Sequence, residues 1–186
     1  MTVKNIVIYP EGKEILRRKC HPVKRIRQEA TKLVRDLVDT LSAHPGGIGL
    51  AAPQIGVHQR IVVVRLGGKP NSEVEPGPPL PLINPKIVEA GDEKLDFDGC
   101  LSFPSLYGET MRPHHLRVVG LYGNGRAFDR VFDGFDAVVV HHELDHLDGV
   151  LFIDRVKRIE DLYQVREDEN GELVRVRLSA DGLFSF

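Results

Sequence analysis

The chain has 186 residues, 41% of them apolar and 28% charged, which is an ordinary globular makeup with enough length for a real core. Its 25 Lys and Arg against 27 Asp and Glu leave a formal charge of −2, so electrostatics give no reason to expect nucleic acid or an anionic membrane as the main ligand. Two cysteines, Cys20 and Cys100, are too few for a disulfide framework; with no signal-like N-terminus and no apolar window near the ~18 residues of a membrane span, the chain reads as cytoplasmic.

In chain order, the basic run Arg17, Arg18, Lys19, Lys24, Arg25 and Arg27 reads as a solvated face. Ile26, Ala30, Leu33, Val34, Leu37, Val38 and Leu41 then recur at helical spacing and predict an N-terminal helix over Ile26–Ala43, stopped by His44-Pro45-Gly46-Gly47. The segment Gly47-Ile48-Gly49-Leu50-Ala51-Ala52-Pro53-Gln54 is a small-residue loop that permits close backbone approach to a ligand and ends in an amide able to donate. It precedes no P-loop lysine, which argues against phosphate cradling.

Arg60–Leu66 is short and β-branched, a buried strand. The Pro- and Gly-rich stretch 67–81 reads as a surface loop, with a partner-binding loop as the alternative. Further strands are expected over Leu82–Ala90, Lys94–Asp98, Leu116–Tyr122 and Ala127–Phe132, the last two joined by a turn at Tyr122-Gly123-Asn124-Gly125. Gly134–Leu147 is a second helix whose valines have poor helix propensity, so burial must hold it. A C-terminal hairpin extension over 160–186 follows, with Tyr163–Arg166 and Leu173–Leu178 flanking Asp168-Glu169-Asn170-Gly171. The expected fold is α+β in a single domain over 1–186: antiparallel or mixed β-sheets packed around a central helix, plus the N-terminal helix.

That central helix carries His142-Glu143-Leu144-Asp145-His146, an H-E-x-x-H. Residues four apart on a helix lie roughly 40° apart around its axis, so both imidazoles can reach one divalent ion with Glu143 beside them. Such an ion lowers the pKa of a bound water to about 7, and Glu143 could take its proton. The competing reading is an exposed helix end with incidental histidines. Val138, Val139 and Val140 weigh against it, because unpaired polar side chains at the end of a buried helix are costly. For a third ligand, a metzincin pattern would need histidine at 152, which is Phe152; a thermolysin-like pattern leaves Glu160 and Glu167 as donors, neither compelling. Cys100, in Asp98-Gly99-Cys100-Leu101-Ser102, is either a small buried hydrophobe or a thiolate that completes a Cys-His-His site.

The three segments GIGLAAPQ, DGCLS and HHELDHLDG, in this order and at these separations, resemble the signature motifs of peptide deformylases, and they tie residues 47–149 to that family. The resemblance implies that Cys100, His142 and His146 hold one divalent metal ion, with Fe(II) favoured and zinc, nickel or cobalt also suited. It implies Glu143 as general acid/base, Gln54 and the Leu101 N–H as stabilisers of the oxyanion, and Gly47, Ile48 and Gly49 as an edge for substrate pairing. The implied activity is removal of the N-formyl group from the initiator methionine of nascent polypeptides, with formate released. The implied partners are N-formylmethionyl nascent peptides and, as a candidate, the ribosome, with no direct nucleic-acid contact and no membrane. The rivals are an H-E-x-x-H metalloprotease and a non-catalytic, deformylase-like peptide-binding protein. Two positions depart from the family pattern: Asp98 stands where Glu is usual and His141 where Gln is usual. The first suggests a re-spaced contact with Arg112; for the second, a packing or pocket-lining role is preferred to a fourth ligand.

Overall fold

The structure, a computed structural model, describes residues 2–68 and 74–178. In chain order it contains α1 (Lys13–Leu16), α2 (Gln28–Ser42), β1 (Gly49–Ala51), β2 (Ile61–Val64), β3 (Leu80–Gly99), β4 (Leu106–Tyr122), β5 (Ala127–Asp133), α3 (Phe135–Leu147), β6 (Leu162–Glu167) and β7 (Leu173–Arg177), with short 3-10 turns at Ala52–Ile55, Phe152–Arg155 and Ile159–Asp161.

The described strands form one antiparallel sheet in the order β1-β2-β3-β4-β6-β7. β4 pairs with β3 along one edge, while its other edge is shared: Leu106–Gly108 meet β6 and His115–Leu121 meet β5. The expectation of several sheets is therefore corrected to one long, irregular sheet. Among the described residues, the parallel element is an isolated bridge between His21 and Gln59.

Alternation along β2 explains the layering. Ile61 and Val63 face a cluster with Ala30, Leu33, Leu37 and Leu41 of α2, whereas Val62 and Val64 face Val139, Val140, Leu144 and Leu147 of α3. Successive side chains of a strand point to opposite faces, so one short strand serves both helices. Burial on nearly every side of α3, from Ala137 to Val140 and His142 to Leu147, supplies what its valines lack in propensity.

Three sequence expectations change. Leu82–Ala90 and Lys94–Asp98 are parts of the single 20-residue strand β3. The chain runs through the gap between them, with Asp92 at φ 56° and pairing with β4 on both sides of it. The 67–81 loop ends earlier than expected, because Leu80 and Pro81 already pair with Val64 and Val63; its residues 69–73 lie outside the described residues. β4 begins ten residues before the expected Leu116, at Leu106. The β6–β7 hairpin is a continuation of the sheet through β4, and residues 179–186 of the expected extension lie outside the described residues.

Candidate metal centre

β3 ends at Gly99, and Cys100 begins a tight turn closed by the Phe103 N–H donating to the Cys100 carbonyl at 2.9 Å. α3 brings His142 and His146 to the same place: the Cys100 Sγ lies 3.2 Å from His146 Nε2, and the two imidazoles meet edge to face with centroids 5.0 Å apart. One ligand atom from each of Cys100, His142 and His146 falls within 4.8 Å of the others. The N-terminal segment fastens both flanking loops, since the Val7 N–H donates to the Gln54 carbonyl at 2.8 Å and the Tyr9 N–H to the Ser102 carbonyl at 2.9 Å.

The polar atoms around this group are oriented. His142 donates from Nδ1 to Asp98 Oδ1 at 2.7 Å, which leaves Nε2 as the atom it could offer to an ion. Burial opposes the charge on Asp98, but His142 and Arg112 outweigh it and hold the carboxyl well below the usual carboxylate range. Burial likewise opposes a charged His142, yet the Asp98 carboxylate and Cys100 raise its pKa well above the ordinary value. The proton concerned is the one a bound cation replaces. Burial, with His142 close by, keeps His146 well below the ordinary range, so it presents a neutral imidazole.

Glu143 stands beside the cluster with its Oε2 buried and without a partner among the described residues. Burial pushes its carboxyl up to about 7. A Cβ placed on Gly49 would sit 2.2 Å from Glu143 Oε1, so glycine there lets the backbone of β1 lie against the carboxylate. Gln54 is fixed at both ends: Oε1 accepts from the Ala51 N–H at 2.8 Å, and Nε2 donates toward Ser102 Oγ at 3.2 Å and Cys100 Sγ at 3.4 Å. Among the described residues no acceptor meets the Leu101 N–H.

Behind His142 lies a fully buried arginine. Arg112 donates from Nε and Nη2 to Asp98 Oδ2 at 2.9 and 2.6 Å, and from Nη1 to Asp145 and to His141 Nδ1, the latter at 2.8 Å. Arg155 closes the far side of Asp145 with bonds of 2.5 and 2.6 Å.

The structure thus brings together Cys100, His142, His146, Glu143, Gln54, Leu101 and Gly49. Gly47 lies against Leu41 and His44 at the end of α2, and Ile48 packs on the core cluster that includes Val139. His141, Glu160 and Glu167 do not join the ligand group among the described residues, and Phe152 lies alongside the His142 ring at 6.5 Å. Sequence reasoning missed Asp145, Ser102 and the Val7–Tyr9 segment. An acid at 145 inside a buried helical turn was the available signal for the first; the others depend on contacts between distant parts of the chain.

A soft thiolate with two imidazoles, all half-buried or buried, is a donor set that fits one divalent transition metal, and the unpartnered Glu143 oxygen beside it fits a site built for a polar guest. A helical H-E-x-x-H pair with a further ligand is the arrangement that metal-dependent hydrolases use. The polypeptide deformylase family model matches residues 3–161. The chain is 41% identical to the peptide deformylase of Thermomicrobium roseum over 169 residues, which are 91% of this chain and 94% of that one. The peptide deformylase structure from Ehrlichia chaffeensis superposes with a TM-score of 0.75 at 32% identity, covering 84% of this chain and 89% of that one. The class I type b enzyme of Acinetobacter baumannii with Met-Ala-Ser bound gives 0.74 at 30% identity, covering 83% and 100%. The chain belongs to the peptide deformylase family. No helix among the described residues is long and apolar enough to cross a membrane.

Proposed function

We propose that the chain hydrolyses the N-formyl group of peptides that begin with formylmethionine, releasing formate and a free α-amine. The observation that carries this reading is the convergence of Cys100, His142 and His146 with a buried Glu143, whose Oε2 has no partner among the described residues, and the oriented Gln54 amide, in a chain that belongs to the deformylase family. Cys100, His142 and His146 are the ligands, and a bound divalent cation supplies Lewis acidity and an acidified water.

Glu143 takes a proton from the attacking water and returns it to the leaving nitrogen as the C–N bond breaks; a carboxyl near pKa 7 suits both directions. Gln54 Nε2 and the Leu101 N–H donate to the formyl oxygen as it gains charge. Among the described residues β1 is the end strand of the sheet and pairs with β2 alone, so its other edge can take the peptide as an added strand next to Gly49. Ile48, on the cluster that contains Val139 and Phe135, offers an apolar wall for the methionine side chain. The Met-Ala-Ser bound to the Acinetobacter baumannii relative is a peptide of this product class.

The ion is Fe(II) in this reading, although the same donors suit zinc, nickel or cobalt. The working unit is one catalytic domain over 1–186, acting in the cytoplasm on nascent chains, with the ribosome as a further candidate partner. The test is formate release by anaerobically prepared protein loaded with Fe(II) or Ni(II). Formyl-Met-Ala-Ser should be hydrolysed and Met-Ala-Ser left intact. Cleavage of internal peptide bonds would mark a metalloprotease, and binding without turnover a peptide-binding protein; either result contradicts the proposal.

A further inference from the structure

Asp98 and His141, the two positions that depart from the family pattern, are 43 residues apart in the chain (141 − 98) and touch the same side chain. Arg112 is completely buried, and a guanidinium only donates, so each atom it bonds is an acceptor; its longer 3.4 Å approach from Nη2 to His142 Nδ1 is not such a bond, because that nitrogen donates to Asp98. Both donors on its Nε side converge on one oxygen, Asp98 Oδ2, which also accepts from Thr110 Oγ1 at 3.1 Å. Asp98 Oδ1 is thereby left to His142 Nδ1. At the other end of the guanidinium, Nη1 carries two hydrogens and has two acceptors, Asp145 Oδ2 and His141 Nδ1. His141 therefore accepts at Nδ1 and takes up an Nη1 hydrogen that Asp145 does not. A buried donor left without an acceptor is costly, so the guanidinium has a strong reason to keep this orientation while His141 is present.

We propose that His141 is a positioning residue of the metal centre: its Nδ1 fixes the plane of Arg112, and Arg112 in turn holds Asp98 with one oxygen turned to His142. The inference rests on the reading of Cys100, His142 and His146 as metal ligands. Its consequence is that removing an acceptor which touches neither the ion nor the substrate weakens metal binding. Partners of this kind typically contribute 10–100-fold to affinity.

The test is anaerobic Co(II) binding, measured by competition with a chelator and by the visible absorption of the bound ion, on wild type, His141→Leu and His141→Asn. Leu keeps much of the volume and removes the acceptor, whereas the Asn carbonyl oxygen can stand close to where Nδ1 stands. The expected result is a Co(II) affinity about 10–100-fold weaker with an altered spectrum in His141→Leu, and recovery of most of both in His141→Asn. Should His141→Leu fail to fold, His141→Ala takes its place against the same Asn rescue. Wild-type affinity and spectrum in the acceptor-free variant would overturn the proposal, as would an Asn variant that loses as much as Leu. A wild-type protein that takes up no Co(II) would instead overturn the metal-centre reading itself.

Discussion

Charged side chains are paired in two contrasting places: beneath α3 and along the β4–β5 hairpin. Under α3, Asp98, Arg112, Asp145 and Arg155 share atoms in a single network that also reaches His141 and His142. On the hairpin, Arg117 and Asp129 make a bidentate pair with bonds of 2.8 and 2.6 Å, and His115 meets Asp133 at 2.7 Å. Geometry on the hairpin is as good as geometry under α3, yet the hairpin pairs stand in water, where the attraction is screened and side-chain ordering offsets much of it. The buried network has lost its hydration, so removal of one member strands the others. Similar residue types thus form screened surface pairs in one region and a mutually dependent buried network beside the candidate metal centre in the other.

The largest effect is expected at the edge of the buried region. Glu143→Ala should lower deformylation kcat/KM by about 10²–10⁴-fold while anaerobic Co(II) binding persists, because Glu143 is outside the ligand group. Loss of metal binding along with activity would make it a ligand instead. Next, Arg112→Met should destabilise the protein by about 3–5 kcal/mol in urea unfolding, since the buried Asp98 loses its arginine and Asp145 one of its two. A change no larger than that of a surface pair would dissolve the contrast between the regions.

Gly49→Ala sharpens the comparison from the strand side. The new methyl would overlap Glu143 Oε1, so the carboxylate must move, and a displacement of that size can lower kcat/KM about 100-fold. An intermediate case is the partly exposed pair Arg17–Asp154, with a 2.8 Å bond from Nη2 to Oδ1. Burial opposes the Asp154 charge, but Arg17 and the Leu151 N–H outweigh it and lower the pKa. A depressed folded-state pKa gives stability that is present above the unfolded value of about 3.9 and lost as the pH falls through the folded value. Asp154→Asn should therefore flatten the acid side of the stability curve below about pH 4 and leave neutral pH nearly unchanged, by less than about 1 kcal/mol. The smallest effect belongs to Arg117→Ala on the hairpin, where no measurable shift of the urea midpoint is expected.

What could be read in the sequence followed local periodicity. α2 was legible because its apolar residues repeat at helical spacing, β2 because it is a short β-branched run, and α3 because its valines lead into an H-E-x-x-H that suits one helix face. The first half of β4 was hidden by Gly108, Pro113, His114 and His115, residues that depress strand propensity and are held there by pairing with β3. The third ligand remained open on spacing alone; family motifs, and then the 3.2 Å contact to His146, single out Cys100. Arg112 was glimpsed only as a partner for Asp98. Its full role depends on residues 14 and 33 positions away, which no window of sequence contains.

The central claim is that the buried network exists to hold one cation between Cys100, His142 and His146. Its most direct test is an anaerobic Co(II) titration of the wild-type chain and Cys100→Ser. The account predicts saturation at one equivalent, with a near-ultraviolet thiolate-to-cobalt band in wild type that the variant lacks. A chain that binds no ion, or a Cys100→Ser protein that keeps the band, would contradict it.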